Sequence, residues 1–187
     1  MIDNEEEKTK DLTNKDIEKY FDQLKLGNWK NVIEVLNIIK SDHPNSEVVH
    51  LLLGIGYSIA MLESGDIEKP ISFFNKAKSL GCSDKQYKIN IKEHYSRVGH
   101  YFHNIDDYEN AYKYFIKSTE YNSHNNYIYL NNVGNILSKL GKIEESREMY
   151  RKAIKLEKNY AISYQNLGLS FYLAKEYDSA LKNYHKC

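Results

Sequence analysis

Cysteine is almost missing from this chain: Cys82 and Cys187 are the only two among 187 residues. They make neither a disulfide framework nor a metal-ligand spacing, and plain thiols suit a reducing compartment. Charge of one sign is not in excess either, with 26 basic and 26 acidic residues. A dedicated nucleic-acid binder normally carries a basic surplus. No apolar run approaches the roughly 18 residues that suggest a membrane span; the stretch from Val48 to Met61 is the most hydrophobic and is too short. The opening residues, Met1 to Glu7, are acidic and lack the apolar segment of a secretory signal. Nucleophile elbows, phosphate loops, dinucleotide glycine motifs and His-Glu-x-x-His are all missing. The expectation is a non-catalytic chain of the cytoplasm or nucleus, with no cofactor, no metal, no nucleic-acid partner and no membrane partner.

Proline is scarce too, at 2 residues, and glycine stands at 9, which suits long helices joined by short turns. Tyrosine is abundant at 17; its ring can fill a core while its hydroxyl reaches water. The pattern Leu130-x-x-Val133-Gly134-x-x-Leu137, followed by Ser146-x-x-x-Tyr150, returns 34 residues later. There it reads Tyr164-x-x-Leu167-Gly168-x-x-Phe171, followed by Ala180-x-x-x-Tyr184. Apolar residues at i, i+3 or i+4 and i+7 make one buried helical stripe. A small residue within the stripe marks a close approach of two helices, and self-similarity at this period marks a helical repeat array.

Earlier copies are less regular. Tyr95-x-x-Val98-Gly99-x-x-Phe102 precedes Ala111-x-x-x-Phe115. His50-x-x-Leu53-Gly54-x-x-Tyr57 precedes Pro70-x-x-x-Phe74, with four extra residues between glycine and proline. Four residues are close to one turn of 3.6, so a first helix longer by a turn keeps its face in phase. Pro70 then has to lie in the first turn of its helix, which starts near Ile67 to Lys69. Thr13-x-x-Asp16 and Ser83-Asp84-Lys85-Gln86 read as capping boxes, the second opening a long helix to about His103. Gly27-Asn28 separates two helices of a degenerate first copy, in which Phe21 takes the small-residue slot.

These motifs resemble the tetratricopeptide repeat (TPR) family over about residues 13 to 187, most strongly in the last three copies. The resemblance implies an all-α, right-handed α-solenoid of about five antiparallel helix pairs. It divides the chain into a charged leader, 1–12, and repeats 13–46, 47–82, 83–126, 127–160 and 161–187, the last incomplete. An array normally needs a solvating end. The expectation is therefore either a fragment of a longer protein or an end that docks on another chain, self-association included.

In the family the first helix of each pair lines a concave groove. Off the buried stripe, those positions are Glu93, Ser96, Arg97, His100 and Asn104, then Ile128, Asn131, Asn132, Asn135 and Lys139, then Ile162, Gln165, Asn166, Leu169 and Leu173. Arg97, His100, Asn131, Asn132, Asn135, Gln165 and Asn166 are the candidate contacts to a protein or peptide partner. A carboxamide offers a donor and an acceptor together, so a ladder of them can hold an extended backbone. The alternative is that asparagine, frequent here, simply falls on a wet face. The resemblance does not extend to the family's chaperone-tail clamp: Ser96, His100, Ile162 and Asn166 stand where that clamp wants Lys, Asn, Lys and Arg. His100 and His103, at i and i+3, could share a metal, but no matching carboxylate–histidine set recurs. A pairing of Asn132→Ala with Asn166→Ala is expected to weaken partner binding without unfolding the chain. The remaining readings are a structural subunit of an oligomer or complex, and the targeting module of a larger enzyme.

Overall fold

A computed structural model describes residues 12–121 and 127–186. Most of the charged leader, the turn at 122–126 and Cys187 lie outside the described residues. Among these residues there are ten α-helices and no strand. The pairs are α1 (Asn14–Lys25) with α2 (Trp29–Asp42), α3 (Glu47–Ser64) with α4 (Glu68–Ser79), and α5 (Asp84–Asn104) with α6 (Tyr108–Glu120). They continue with α7 (Tyr127–Lys139) and α8 (Ile143–Leu156), then α9 (Ala161–Leu173) and α10 (Tyr177–Tyr184). This is the all-α solenoid fold that the motifs imply. The chain forms two compact units, divided between Asn90 and Ile91 within α5.

Local chemistry places the breaks. Thr13 and Asp16 form a reciprocal capping box, the Asp16 amide donating to Thr13 Oγ1 at 3.3 Å and the Thr13 amide to Asp16 Oδ2 at 3.1 Å. Ser83 caps α5, its Oγ accepting from the Gln86 amide at 3.2 Å. Pro70 is buried two residues after the start of α4, inside the first turn where a missing N–H breaks no helical bond. The turn between the two helices of each pair contains one left-handed residue: Gly27, Gly65, Asp106, Gly141 or Lys175.

In the first unit, Leu24, Val32, Leu36, Val49, Leu52 and Leu53 form one core, with Phe21 packed against it. Fully burying such a side chain contributes about 1.5–3 kcal/mol. The long α3 corrects one expectation. Its 18 residues reach a mean hydropathy of 1.2, enough by length and composition to cross a membrane. Gly54 faces Phe74 of α4 and Gly56 faces Ile33 of α2, and Leu52, Leu53 and Met61 are fully buried. In the second unit, Ala111, Phe115, Val133, Ile136 and Leu137 form the corresponding core; the slot residues Ser118 and Ser146 are also fully buried.

The recurring contact is a glycine on the first helix under an aromatic ring on the second. A Cβ at Gly99 would meet Phe115 at 2.9 Å, one at Gly134 Tyr150 at 2.5 Å, and one at Gly168 Tyr184 at 2.7 Å. Ring follows glycine by 16 residues each time. A Cβ at Gly54 would likewise meet Phe74 at 2.5 Å, but 20 residues separate the two, since α3 has its extra turn.

Candidate functional site

The groove positions of α5, α7 and α9 all belong to the second unit. They surround two neighbouring hollows that share His103 and Asn135. The smaller, about 90 Å³, is lined by His100, His103, Phe115, Asn132, Asn135 and Ile136. The larger, about 250 Å³, runs past Ser138 and Lys139 to Asn166, Leu169 and Leu173, with Tyr150 and Ser170 at its base. Six predicted groove positions beyond His100 therefore line these hollows: Asn132, Asn135, Lys139, Asn166, Leu169 and Leu173.

Three asparagines are wired together across the helices. Asn166 Nδ2 donates to Asn131 Oδ1 and to Asn135 Oδ1, both at 3.0 Å. Asn135 Oδ1 also accepts from the Tyr150 hydroxyl at 2.8 Å, and Asn131 Oδ1 from Ser163 Oγ at 3.1 Å. A carboxamide has two N–H donors and two oxygen lone pairs. The network uses both hydrogens of Asn166 and both lone pairs of Asn135. What Asn166 has left to present is its oxygen; what Asn135 has left is its NH₂. Their orientation follows from the bonds they already make.

Asn131 has to be corrected. It is 2 % exposed and covered by Ser163 and Asn166 of α9, so it packs helix against helix and does not face a partner. Asn166 holds two helices together, so the paired alanine variant expected to leave the fold intact would instead remove interhelical bonds. Ser96 is buried as well. Gln165, in the slot of Asn131 one repeat on, is exposed and lines neither hollow.

Arg97 sits in a second polar group. Tyr129 donates its hydroxyl hydrogen to Glu93 Oε1 at 2.7 Å, and Lys92 Nζ lies 3.5 Å from the same oxygen. Burial, then the Glu93 hydrogen bond, pushes the Tyr129 phenol far above its usual range. Burial depresses the Arg97 guanidinium, and neighbouring Glu93 and Tyr129 oppose that shift. The Arg97 charge is thus partly answered within the chain. His100 meets Phe115 edge-on at 4.9 Å. Burial first, and the charge of His103 second, hold it below the ordinary histidine value. Among the described residues no three His, Cys, Asp or Glu side chains gather as a metal site. His94 is fully buried, and Asp106 accepts a hydrogen bond from the Tyr108 hydroxyl.

Sequence reasoning missed three participants. His103 was considered only for metal, yet it walls both hollows. Tyr150 was read as packing alone, although its hydroxyl fixes Asn135. Arg147 was not singled out: it is 4 % exposed, donates to the Ser170 carbonyl at 2.9 Å and to Glu176 Oε1 at 2.9 Å, and stacks 4.1 Å from the Phe171 ring centroid. The only available signal was a charge beside the small residue Ser146.

Two sequence profiles match inside this unit, one described as a tetratricopeptide repeat over residues 95–125 and one as a TPR repeat over 134–174. Residues 95–125 and 134–174 are tetratricopeptide repeats. Solved TPR proteins share its fold. MamA superposes with a TM-score of 0.61 at 19 % identity, covering 94 % of this chain and 92 % of its own. YrrB, described as a TPR protein with an unusual peptide-binding site, gives 0.58 at 13 % identity, covering 91 % and 81 %. PilF of Pseudomonas aeruginosa gives 0.56 at 16 % identity, covering 91 % and 72 %. No curated protein sequence matches the chain. At these identities the likeness speaks for fold, and tetratricopeptide repeats are in general scaffolds for protein interaction.

Proposed function

We propose that the second unit is a non-catalytic adaptor that holds an extended segment of a partner protein along α5, α7 and α9. The observation that carries this reading is the fixed pair Asn135 and Asn166. One presents a donor and the other an acceptor, in the combination that a peptide unit requires, and burial around them raises the worth of each bond. Leu169 and Leu173, 46 % and 67 % exposed, add apolar contact at one end of the larger hollow. A peptide site in the TPR protein YrrB supports the reading by analogy of fold.

Asn132 and Leu169 line the hollows without belonging to the interhelical network, so they are the residues to change. Peptides selected from a random display library on the wild-type chain are expected to lose about tenfold or more in affinity for Asn132→Ala with Leu169→Asp, roughly 1.4 kcal/mol. The thermal midpoint should hold. Peptides that bind both chains equally would put the binding surface elsewhere.

A second reading, assembly through α9 and α10, is favoured by the exposure there of Leu173, Tyr177 and Leu181, at 67 %, 58 % and 56 %. Light scattering across a concentration series tests it; a mass that stays at one chain counts against self-assembly.

A further inference from the structure

In the first unit, Trp29, Tyr57, Ala60, Glu63, Asp66 and Lys69 line a cavity of about 390 Å³. That is within the roughly 300–1,000 Å³ of small-ligand sites. We propose that it binds the ammonium head of a lysine side chain on a partner protein, independently of the trough in the second unit.

Three kinds of group converge on a cation there. Trp29 and Tyr57 supply ring faces, which attract ammonium through the ring quadrupole. Glu63 and Asp66 supply carboxylates. The end of α3 at Ser64 supplies the negative end of a helix dipole. Sequence explains the convergence: Tyr57, Ala60 and Ser64 are spaced i, i+3, i+7 along one face of α3, and Trp29 is the first residue of α2. Tyr57 is held in place, stacked on Phe73 at 5.2 Å and accepting from Asn37 Nδ2 at 3.2 Å.

The chain's own lysines rehearse the pose. Lys69 Nζ lies 4.0 Å from the Tyr57 centroid. On the side of the adjoining hollow, Lys30 Nζ lies 5.0 Å from the Trp29 centroid and 3.3 Å from Glu63 Oε2. Both rings thus accept an ammonium, and the carboxylate reaches one of them. Lys69 is exposed and keeps its side-chain entropy cheaply elsewhere; an incoming lysine displaces it. An alkyl stem would lie along Ala60 and the ring edges while its charge sits between the acids.

Trp29 is the single tryptophan of the chain and lines both this cavity and an adjoining hollow at residues 27–31, so its fluorescence reports on that corner of the first unit. Tyr57, which lines this cavity and not the other, assigns the change. The probes are the capped peptide Gly-Lys-Gly, the same peptide with norleucine for lysine, and free butylamine. The lysine peptide is expected to change Trp29 emission saturably, and the norleucine peptide to bind about tenfold more weakly or worse. Glu63→Gln should weaken the lysine peptide several-fold, Tyr57→Leu should do so with the circular dichroism spectrum unchanged, and Lys69→Ala should tighten it. Equal binding of the norleucine peptide, weaker binding by Lys69→Ala, or no saturable change up to about 10 mM would overturn the site. Butylamine, which carries the same stem and ammonium, is expected to compete with the lysine peptide; failure to displace it would overturn the assignment to a side chain.

Discussion

The pair α7–α8 and the pair α9–α10 carry the same motif 34 residues apart. Each sets a tyrosine ring so close to a glycine that an added Cβ would meet it at nearly the same distance, 2.5 Å and 2.7 Å. Yet Tyr150 is 3 % exposed and Tyr184 is 38 %. Asn131 is buried where Gln165 is exposed, and Arg147 is buried where Leu181 is 56 % exposed. The motif therefore determines contacts within a pair, whereas burial comes from the next pair along. Ser163 and Asn166 of α9 are what cover Asn131.

The largest test of that contrast is truncation of the two rings. Tyr150→Ala should cost about 3–5 kcal/mol, the range for emptying a packed aromatic site, with the Asn135 bond lost in addition. Tyr184→Ala should cost roughly 1–2 kcal/mol, because its ring is less enclosed. Equal midpoints in urea unfolding would mean that the pair, not its neighbour, sets the energy.

A smaller effect exchanges the turn residues. Gly141 and Lys175 hold the same left-handed slot, at φ 76° and 64°. The left-handed region costs a residue with a Cβ about 1–2 kcal/mol, partly offset by the greater freedom of glycine in the unfolded chain. Lys175→Gly should stabilise by about 0.5–1 kcal/mol, and Gly141→Lys should destabilise by about 1 kcal/mol. Matching signs from the two swaps would break the equivalence of the turns.

The smallest concerns His100, which has no counterpart in the terminal pair. Its folded value lies below the ordinary 6.5, so the unfolded chain takes the proton first as pH falls. Its contribution is fully present above about pH 6.5 and is lost as pH drops toward the folded value. The wild-type midpoint should fall further than that of His100→Gln between about pH 7.5 and pH 5.5. A parallel pair of curves would remove His100 as the cause.

The helices were legible because their signals are local: capping residues, breaks at glycine, and a period of small residues. Pro70 even placed the start of α4, since a proline ring fits a helix only in its first turn. The candidate trough was legible as a set of positions but not as a network. Asn131 and Asn132 are neighbours in sequence with the same side chain, and one is interior while the other lines a hollow. That difference depends on Ser163 and Asn166, more than thirty residues away, which no local pattern encodes. Arg147 was invisible for the same reason: beyond its local partner Glu144, its contacts Ser170, Phe171 and Glu176 lie in the following pair.

The glycine-under-ring contact also acts as a peg in a socket. A helix rotates about 100° per residue, so lengthening α7 by one residue beyond Gly134 would turn the socket away from Tyr150, while lengthening it by four would nearly restore the match. The interval of 20 in α3 and α4 beside the interval of 16 elsewhere is this arithmetic already carried out. Insertions in this chain should thus be tolerated in steps of a whole turn, and a designer who wishes to splice a new repeat into it should measure from glycine to ring, not from loop to loop.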